Sequence, residues 1–293
     1  MKTSRKSKIQ IGLLLLPGLI IFGVFTIYPI VKLFLMSFFE WDFGSMLNHH
    51  FIGLENYKEV LGDEYFRTVF VNSIVYTIIT VPGQMLVGFL VALLLNQIAH
   101  FKVTYRVLYY LPVITSWVVA SLIFKYVFNT EGLLNYFLMN VIHITSNNIR
   151  WLDTRWGGMS VAMLLGIWKG VGWNMVVFLA ALQTVPNDLY EAAAIDGANV
   201  WNKMIHVTIP SIRGTVLFAL VMLTIGGFNV FTSIKMITGG EPGHQTDVIL
   251  TWMYHKAFST GKFGYSAALS FITTVVLALL AVVQFRLMQQ KDQ

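Results

Sequence analysis

Long apolar stretches alternate with short polar ones along this chain, on a spacing far longer than the turn of an amphipathic helix. Six stretches, at about 11–38, 68–95, 104–128, 158–183, 211–237 and 265–287, are predominantly apolar. Each reaches the length of about 20 residues that a helix needs to cross a hydrocarbon core. An acidic segment, Glu40 to Glu64, separates the first two, and a polar loop from Asn129 to Trp156 separates the third and fourth. The segment Thr238-Gly-Gly-Glu-Pro-Gly-His-Gln-Thr246 between the fifth and sixth has the Gly/Pro content of turns. The pattern predicts an all-α integral membrane protein with about six transmembrane helices. A tail at 1–10 precedes one membrane domain over 11–293, with no internal repeat.

Composition agrees: 56% of the 293 residues are hydrophobic and only 12% are charged, against roughly a quarter charged in soluble domains. The net charge of +6 does not imply nucleic acid, because the basic residues are scattered and draw no basic face. They instead flank the spans. Lys2, Arg5, Lys6 and Lys8 place the N-terminus in the cytoplasm by the positive-inside rule. Six spans then return Arg286 and Lys291 to the same side, together with the loops carrying Lys102, Arg106, Lys203 and Arg213. The opposite loops also hold Lys58, Arg67, Arg150, Arg155, Lys256 and Lys262, so the bias rests mostly on the N-terminus. The basic head and apolar run at 9–25 mimic a signal peptide. No small-residue cleavage site follows, and the segment reads as an uncleaved first span. With no cysteine, disulfides and thiolate chemistry are excluded.

Residues 186–210 stand apart as a polar, Ala-rich interruption. Pro186 and Asn187 end the fourth span. Asp188 and Glu191 have the spacing of a capping box, each side chain satisfying an orphan amide at a helix start. Ala192, Ala193 and Ala194 are the strongest helix formers available, and Gly197 stands where a helix closes in a left-handed turn. Trp201, Met204 and Ile205 form an apolar stripe, expected to pack beneath the spans. A plain connector needs no helix this regular.

Glu191-Ala-Ala-Ala-Ile-Asp-Gly-Ala198, ending at Ile209-Pro210, closely resembles the EAA loop of binding-protein-dependent ABC importer permeases. Phe51-x-Gly-Leu-x-Asn-Tyr57, Leu111-Pro112, Trp151-Leu152, Ile167-Trp168-Lys169 and Thr238-Gly-Gly-x-Pro242 extend the resemblance nearly end to end, toward the carbohydrate branch with its MalF-type subunits. Met204 stands where that family usually has Phe, and Glu241 replaces a Gly in Gly-Gly-Gly-Pro. The first external loop is too short for the large external domain of some MalF proteins. The resemblance implies a type I ABC importer permease fold and a role as transmembrane permease of an ATP-driven carbohydrate importer in a bacterial inner membrane. It further implies that Glu191, Ala192, Ala193, Asp196, Gly197, Ala198 and Met204 form a cytoplasmic coupling helix that docks on an ATPase. The implied partners are a second homologous permease, two ATPase subunits, an extracellular solute-binding protein and membrane lipid.

No Gly-x-x-x-x-Gly-Lys-Ser/Thr loop occurs, so the chain holds no nucleotide by that route. ATP and magnesium belong on the partner, and the chain itself needs no cofactor, metal or catalytic residue. Polar residues inside spans are the candidates for a substrate pathway, because they are costly in hydrocarbon. These are Lys169, Asn174 and Asn229, with Trp173, and with Trp168 as a second ring able to stack on a sugar. Each has a plainer reading: interhelical hydrogen bonds for the asparagines, pairing for Lys169, packing for the tryptophans. Gly166-x-x-x-Gly170 with Gly172 permits close helix approach, within the chain or against a second subunit.

An ion-coupled secondary transporter is the alternative. It would show discontinuous spans and buried acidic coupling groups, yet the acids here lie in loops or at span ends. An intramembrane enzyme is disfavoured, because the seven histidines include adjacent His49-His50 and a lone His206 and form no metal-ligand spacing.

Overall fold

The computed structural model describes residues 5–42, 50–97 and 100–289; Lys2, His49 and Lys291 lie outside the described residues. The chain opens with α1 (Arg5–Phe22), which runs through a π-helical turn into α2 (Tyr28–Met36). The two-residue strands β1 (Phe39–Glu40) and β2 (His50–Phe51) follow, then α3 (Glu55–Gly62) and α4 (Glu64–Gln97). Next come α5 (Lys102–Ile114), α6 (Trp117–Val127), α7 (Leu133–Asn140) and α8 (Arg155–Leu182). The polar interruption forms α9 (Asn187–Ile195), α10 (Val200–Lys203) and, beyond a π-helical turn, α11 (Ile209–Ser211). The chain closes with α12 (Arg213–Phe228), α13 (Thr232–Ile237), α14 (Ile249–Tyr254) and α15 (Phe263–Gln289).

Five of the six predicted spans are helical stretches long and apolar enough to cross a membrane: Leu13–Met36, Glu64–Gln97, Arg155–Leu182, Arg213–Ile237 and Phe263–Arg286. The third, expected as one helix over 104–128, is instead α5 and α6, bent by 89°. Thr115 and Ser116 are extended at the break, with ψ of 146° and 135°. Thr115 Oγ1 donates to the Pro112 carbonyl at 2.7 Å. That carbonyl would accept the Ser116 amide in a continuous helix, so the side chain takes the place of the ladder. The fifth stretch is also interrupted, at Asn229-Val230-Phe231 between α12 and α13.

The chain divides into two compact units. One comprises the residues up to Asp63 together with Met253–Thr274. Here β1 and β2 pair antiparallel with Phe39 opposite Phe51. Gly53 takes φ +60° in the turn that follows. Buried Asn56 donates to the carbonyls of Ser37 and Phe39, both at 2.9 Å, and Tyr57 meets the Ser37 hydroxyl at 2.8 Å. Lys256 pairs with Asp63 at 2.8 Å and Lys262 with Glu59 at 2.6 Å. Two of the basic residues that dilute the charge bias are therefore neutralised locally.

The other unit comprises Glu64–Trp252 and the residues from Val275, and is built on α4 against α8. Glycines on both helices form the seam. A Cβ on Gly83 would meet Ile167 Cδ1 at 2.8 Å, and one on Gly166 would meet Tyr76 Oη at 2.5 Å. Gly88 faces Asn174, Gly170 faces Gln84 and Gly172 faces the Tyr109 carbonyl of α5. Gly166, Gly170 and Gly172 thus serve packing within the chain, bringing backbones together where lipid offers no hydrophobic drive between helices. Two apolar clusters flank this seam along α8. Met159, Ala162 and Leu165 belong to one, with Ile234 and Val248. Met175, Phe178 and Leu182 belong to the other, with Leu95, Ile212 and Ala219.

Candidate functional site

Two features combine helix ends with exposed or cavity-facing side chains. The first is the interruption after α8. The apolar cluster continues through Val185, with Tyr190 and Val207 packed on its edge, so α9 leaves α8 after a short, anchored link. Pro186 is the N-cap of α9, with no side-chain cap. The expected capping box is therefore absent. The helix starts two residues earlier than the box requires, which puts Asp188 inside the first turn. There its carboxylate faces the positive end of the helix dipole, and Glu191 is left exposed on the next turn.

The C-terminus of α9 closes as the sequence implied. Gly197 has φ +74°. Its amide donates to the Ala194 carbonyl at 3.1 Å, and the Ala198 amide donates to Ala193 at 2.9 Å. This paired arrangement is a Schellman closure, which requires a left-handed residue at that position. Asn199 then caps α10, accepting from the Asn202 amide at 2.9 Å.

The apolar stripe of α10 does not pack beneath the spans. Trp201 is 68% exposed and Ile205 is also exposed, with Met204 half-buried, and Ile195 beside the turn is 87% exposed. Val207 and Thr208, on the next turn, make the contacts to the bundle instead. The interruption is a helix–turn–helix that leaves Glu191, Asp196, Ile195 and Trp201 exposed, a mix of acidic and large apolar side chains suited to protein docking.

The second feature is a cavity of about 430 Å³ inside the unit built on α4 and α8. Tyr76, Thr80 and Gln84 of α4 line it, a polar stripe at four-residue spacing. Lys169 and Trp173 face it from α8, and Trp117 from the start of α6. Asn229, Phe231 and Thr232 complete it from the interruption in the fifth stretch. Both broken helices therefore meet the same cavity, as expected where irregular backbone at membrane depth is sheltered by protein. No Asp or Glu lines it among the described residues.

Three of the four proposed pathway residues, Lys169, Trp173 and Asn229, lie in this wall. Asn174 does not. It is fully buried against Gly88, and its amide donates to the Gly170 carbonyl one turn back at 2.9 Å. Trp168 is also outside the lining, packed 5.6 Å from the ring of Phe124.

Lys169 is only 3% exposed. Its ammonium donates to the carbonyls of Pro112 and Thr115, each at 2.7 Å, and to Thr115 Oγ1 at 3.2 Å. Trp117 adds a ring face 4.8 Å away. These partners are the end of α5, where unpaired carbonyls gather and a cation is favoured by the dipole. Thr80, Gln84 and Trp117 escaped the sequence reading. The 76–80–84 spacing was visible, but nothing local marks which face of an apolar helix meets a cavity.

Residues 65–292 match the family described as binding-protein-dependent transport system inner membrane component. The chain is 31% identical over 284 residues to the probable ABC transporter permease protein YurN of Bacillus subtilis, covering 96% of each. It is 32% identical to the arabinooligosaccharides transport system permease protein AraP of Halalkalibacterium halodurans, covering 94% of this chain and 86% of that one. It superposes with a TM-score of 0.83 on a chain of a bacterial alginate ABC transporter solved with an alginate pentasaccharide-bound periplasmic protein. That match has 22% identity and covers 98% of this chain and 96% of the other. The fold is the type I ABC importer permease fold, and the family match and relatives do not support the ion-coupled alternative. The chain belongs to the family of inner membrane components of binding-protein-dependent transport systems.

Proposed function

We propose that this chain forms one half of the translocation pathway of an ATP-driven carbohydrate importer, with a second homologous permease forming the other. The observation that carries the reading is the rigid α9–turn–α10 unit. It leaves α8 through an anchored link and presents Ile195, Trp201 and the exposed carboxylates of Glu191 and Asp196. Such a unit suits insertion into a groove on a cytoplasmic ATPase, two copies of which would bind ATP and magnesium. The basic N-terminus puts this loop and both termini inside the cell, in a bacterial inner membrane. The likeness to AraP and to the alginate transporter supports a carbohydrate cargo delivered by an extracellular solute-binding protein.

The cavity suits that cargo. Trp117, Trp173 and Tyr76 offer ring faces, while Thr80, Gln84 and Asn229 offer neutral donors and acceptors. Nothing in the lining supplies the acidic group of an ion-coupled site. ATP-driven closure of the ATPases would carry α9 with them and swing the spans between inward- and outward-facing states.

The test is uptake of a radiolabelled oligosaccharide panel into cells expressing the complete transporter. ATP-powered transport predicts accumulation that persists when a protonophore collapses the proton gradient and stops when cellular ATP is depleted. The opposite pattern would transfer the chain to the ion-coupled class.

A further inference from the structure

The third membrane stretch is broken at Thr115–Ser116, and the groups that occupy the break come from another helix. In a continuous helix the Pro112 carbonyl would accept from the Ser116 amide and the Thr115 carbonyl from the Val119 amide. Here Lys169 donates to both carbonyls at 2.7 Å. Its third contact, to Thr115 Oγ1, meets a hydroxyl that itself donates to the Pro112 carbonyl. Three ammonium hydrogens meet three acceptors. A buried charge in a span is expensive unless paired in this way, and a buried carbonyl left without a donor costs about as much as a lost hydrogen bond.

We propose that Lys169 is a positioning residue that holds this break open and fastens it to α8. The link matters because α8 is the helix that continues, through Gln183–Val185, into α9. Trp117, first residue of α6 and a wall of the cavity, stands directly beyond the break and faces the Lys169 ammonium. Displacement of α9 is thereby passed along one rigid helix to one lysine, and from it to the cavity wall at the end of α5 and the start of α6. This assignment rests on the reading of α9 as a docking helix, while the lock itself can be tested without that reading.

The chain has no native cysteine, so spin labels can be placed at Val118 on α6 and Leu164 on α8, both exposed. In the purified chain, a narrow distance distribution is expected for this pair. Lys169→Met should broaden and shift it as the Thr115 carbonyl loses its donor and Pro112 keeps only the Thr115 hydroxyl, and Lys169→Arg should restore it in large part. An unchanged distribution in Lys169→Met, or failure of Lys169→Arg to restore it, overturns the lock. Should Lys169→Met not accumulate, the native lysine decides the matter. In the assembled transporter, the Val118–Leu164 distance must stay constant between the nucleotide-free state and the ATP–vanadate state, and a change in it overturns the proposal. A label at Ile195 reports docking separately. If it is not immobilised by the ATPase, the docking reading fails, and the purified-chain measurement still decides the lock.

Discussion

The hydroxyl of Tyr190 lies 3.1 Å from that of Thr208 and joins α9 to the π-helical turn of the returning segment. Thr208 spends its hydrogen on the Lys203 carbonyl at 3.3 Å, so Tyr190 is the donor. This contact ties the two arms of the exposed unit together, beside the packing of Tyr190 and Val207 on the same apolar cluster. Tyr190→Phe keeps the ring and removes the bond, at about 0.5–1.5 kcal/mol. Hydrogen exchange over residues 187–199 should rise roughly twofold to twelvefold by that arithmetic, with exchange in α8 unchanged.

Gly197 has open space where a Cβ would go, so only its backbone conformation resists substitution. At φ +74° an L-residue pays about 1–2 kcal/mol, while Asn is tolerated better than most. Gly197→Asn should keep the turn and retain most uptake. Gly197→Val, β-branched and strained there, should lose it while inserting normally. Uptake assays beside membrane quantification check the order, and equal activity of the two variants would show that the closure is not required.

Gly170 stands against Gln84 and Gly166 against Tyr76. Gly170→Leu should force the α4–α8 seam apart at the cavity, with an overpacking cost of about 1–3 kcal/mol. Thermal unfolding in detergent should fall by several degrees. Gly214→Leu, at a site with nothing within 4 Å, serves as the matched control and should leave it near the native value.

Asn72 is completely buried and ties the Thr238–Thr246 loop in place, donating to the carbonyls of Gln245 at 2.8 Å and Asp247 at 2.6 Å. It also accepts from Arg155 Nε at 3.0 Å. Asn72→Leu leaves two carbonyls and a guanidinium N–H without this partner, each costing about 1–3 kcal/mol where burial is complete. Limited proteolysis should then cut the loop at Gly239–Gly243. The native chain should resist cutting there.

Much of this was legible in the sequence, and unevenly so. Span count and the helix–turn–helix at 186–210 followed from length, Ala content and Gly197, because these are local properties. Asp188 and Glu191 misled, since a capping box depends on where the first helical turn begins, and Pro186 moved that point by two residues. Trp201 and Ile205 misled for a different reason: helical spacing reveals a stripe but not whether the same chain covers it. The 104–128 span looked continuous because its break is held by Lys169, more than fifty residues away in sequence. Asn174 and Asn229 are the same residue type in apolar stretches, and only the fold sends one against Gly88 and the other to the cavity wall.

The proposed function depends most directly on the exposed unit being a docking element for a separate ATPase. Tagged chain should be purified from its native membrane in mild detergent, and its companions identified by mass spectrometry. The account predicts a P-loop ATPase and a second permease of the same family, with the ATPase lost from Gly197→Val and retained with Gly197→Asn. An ATPase recovered equally with native chain and Gly197→Val would contradict the docking role of the turn. A chain active in uptake yet never accompanied by an ATPase would contradict the whole assignment.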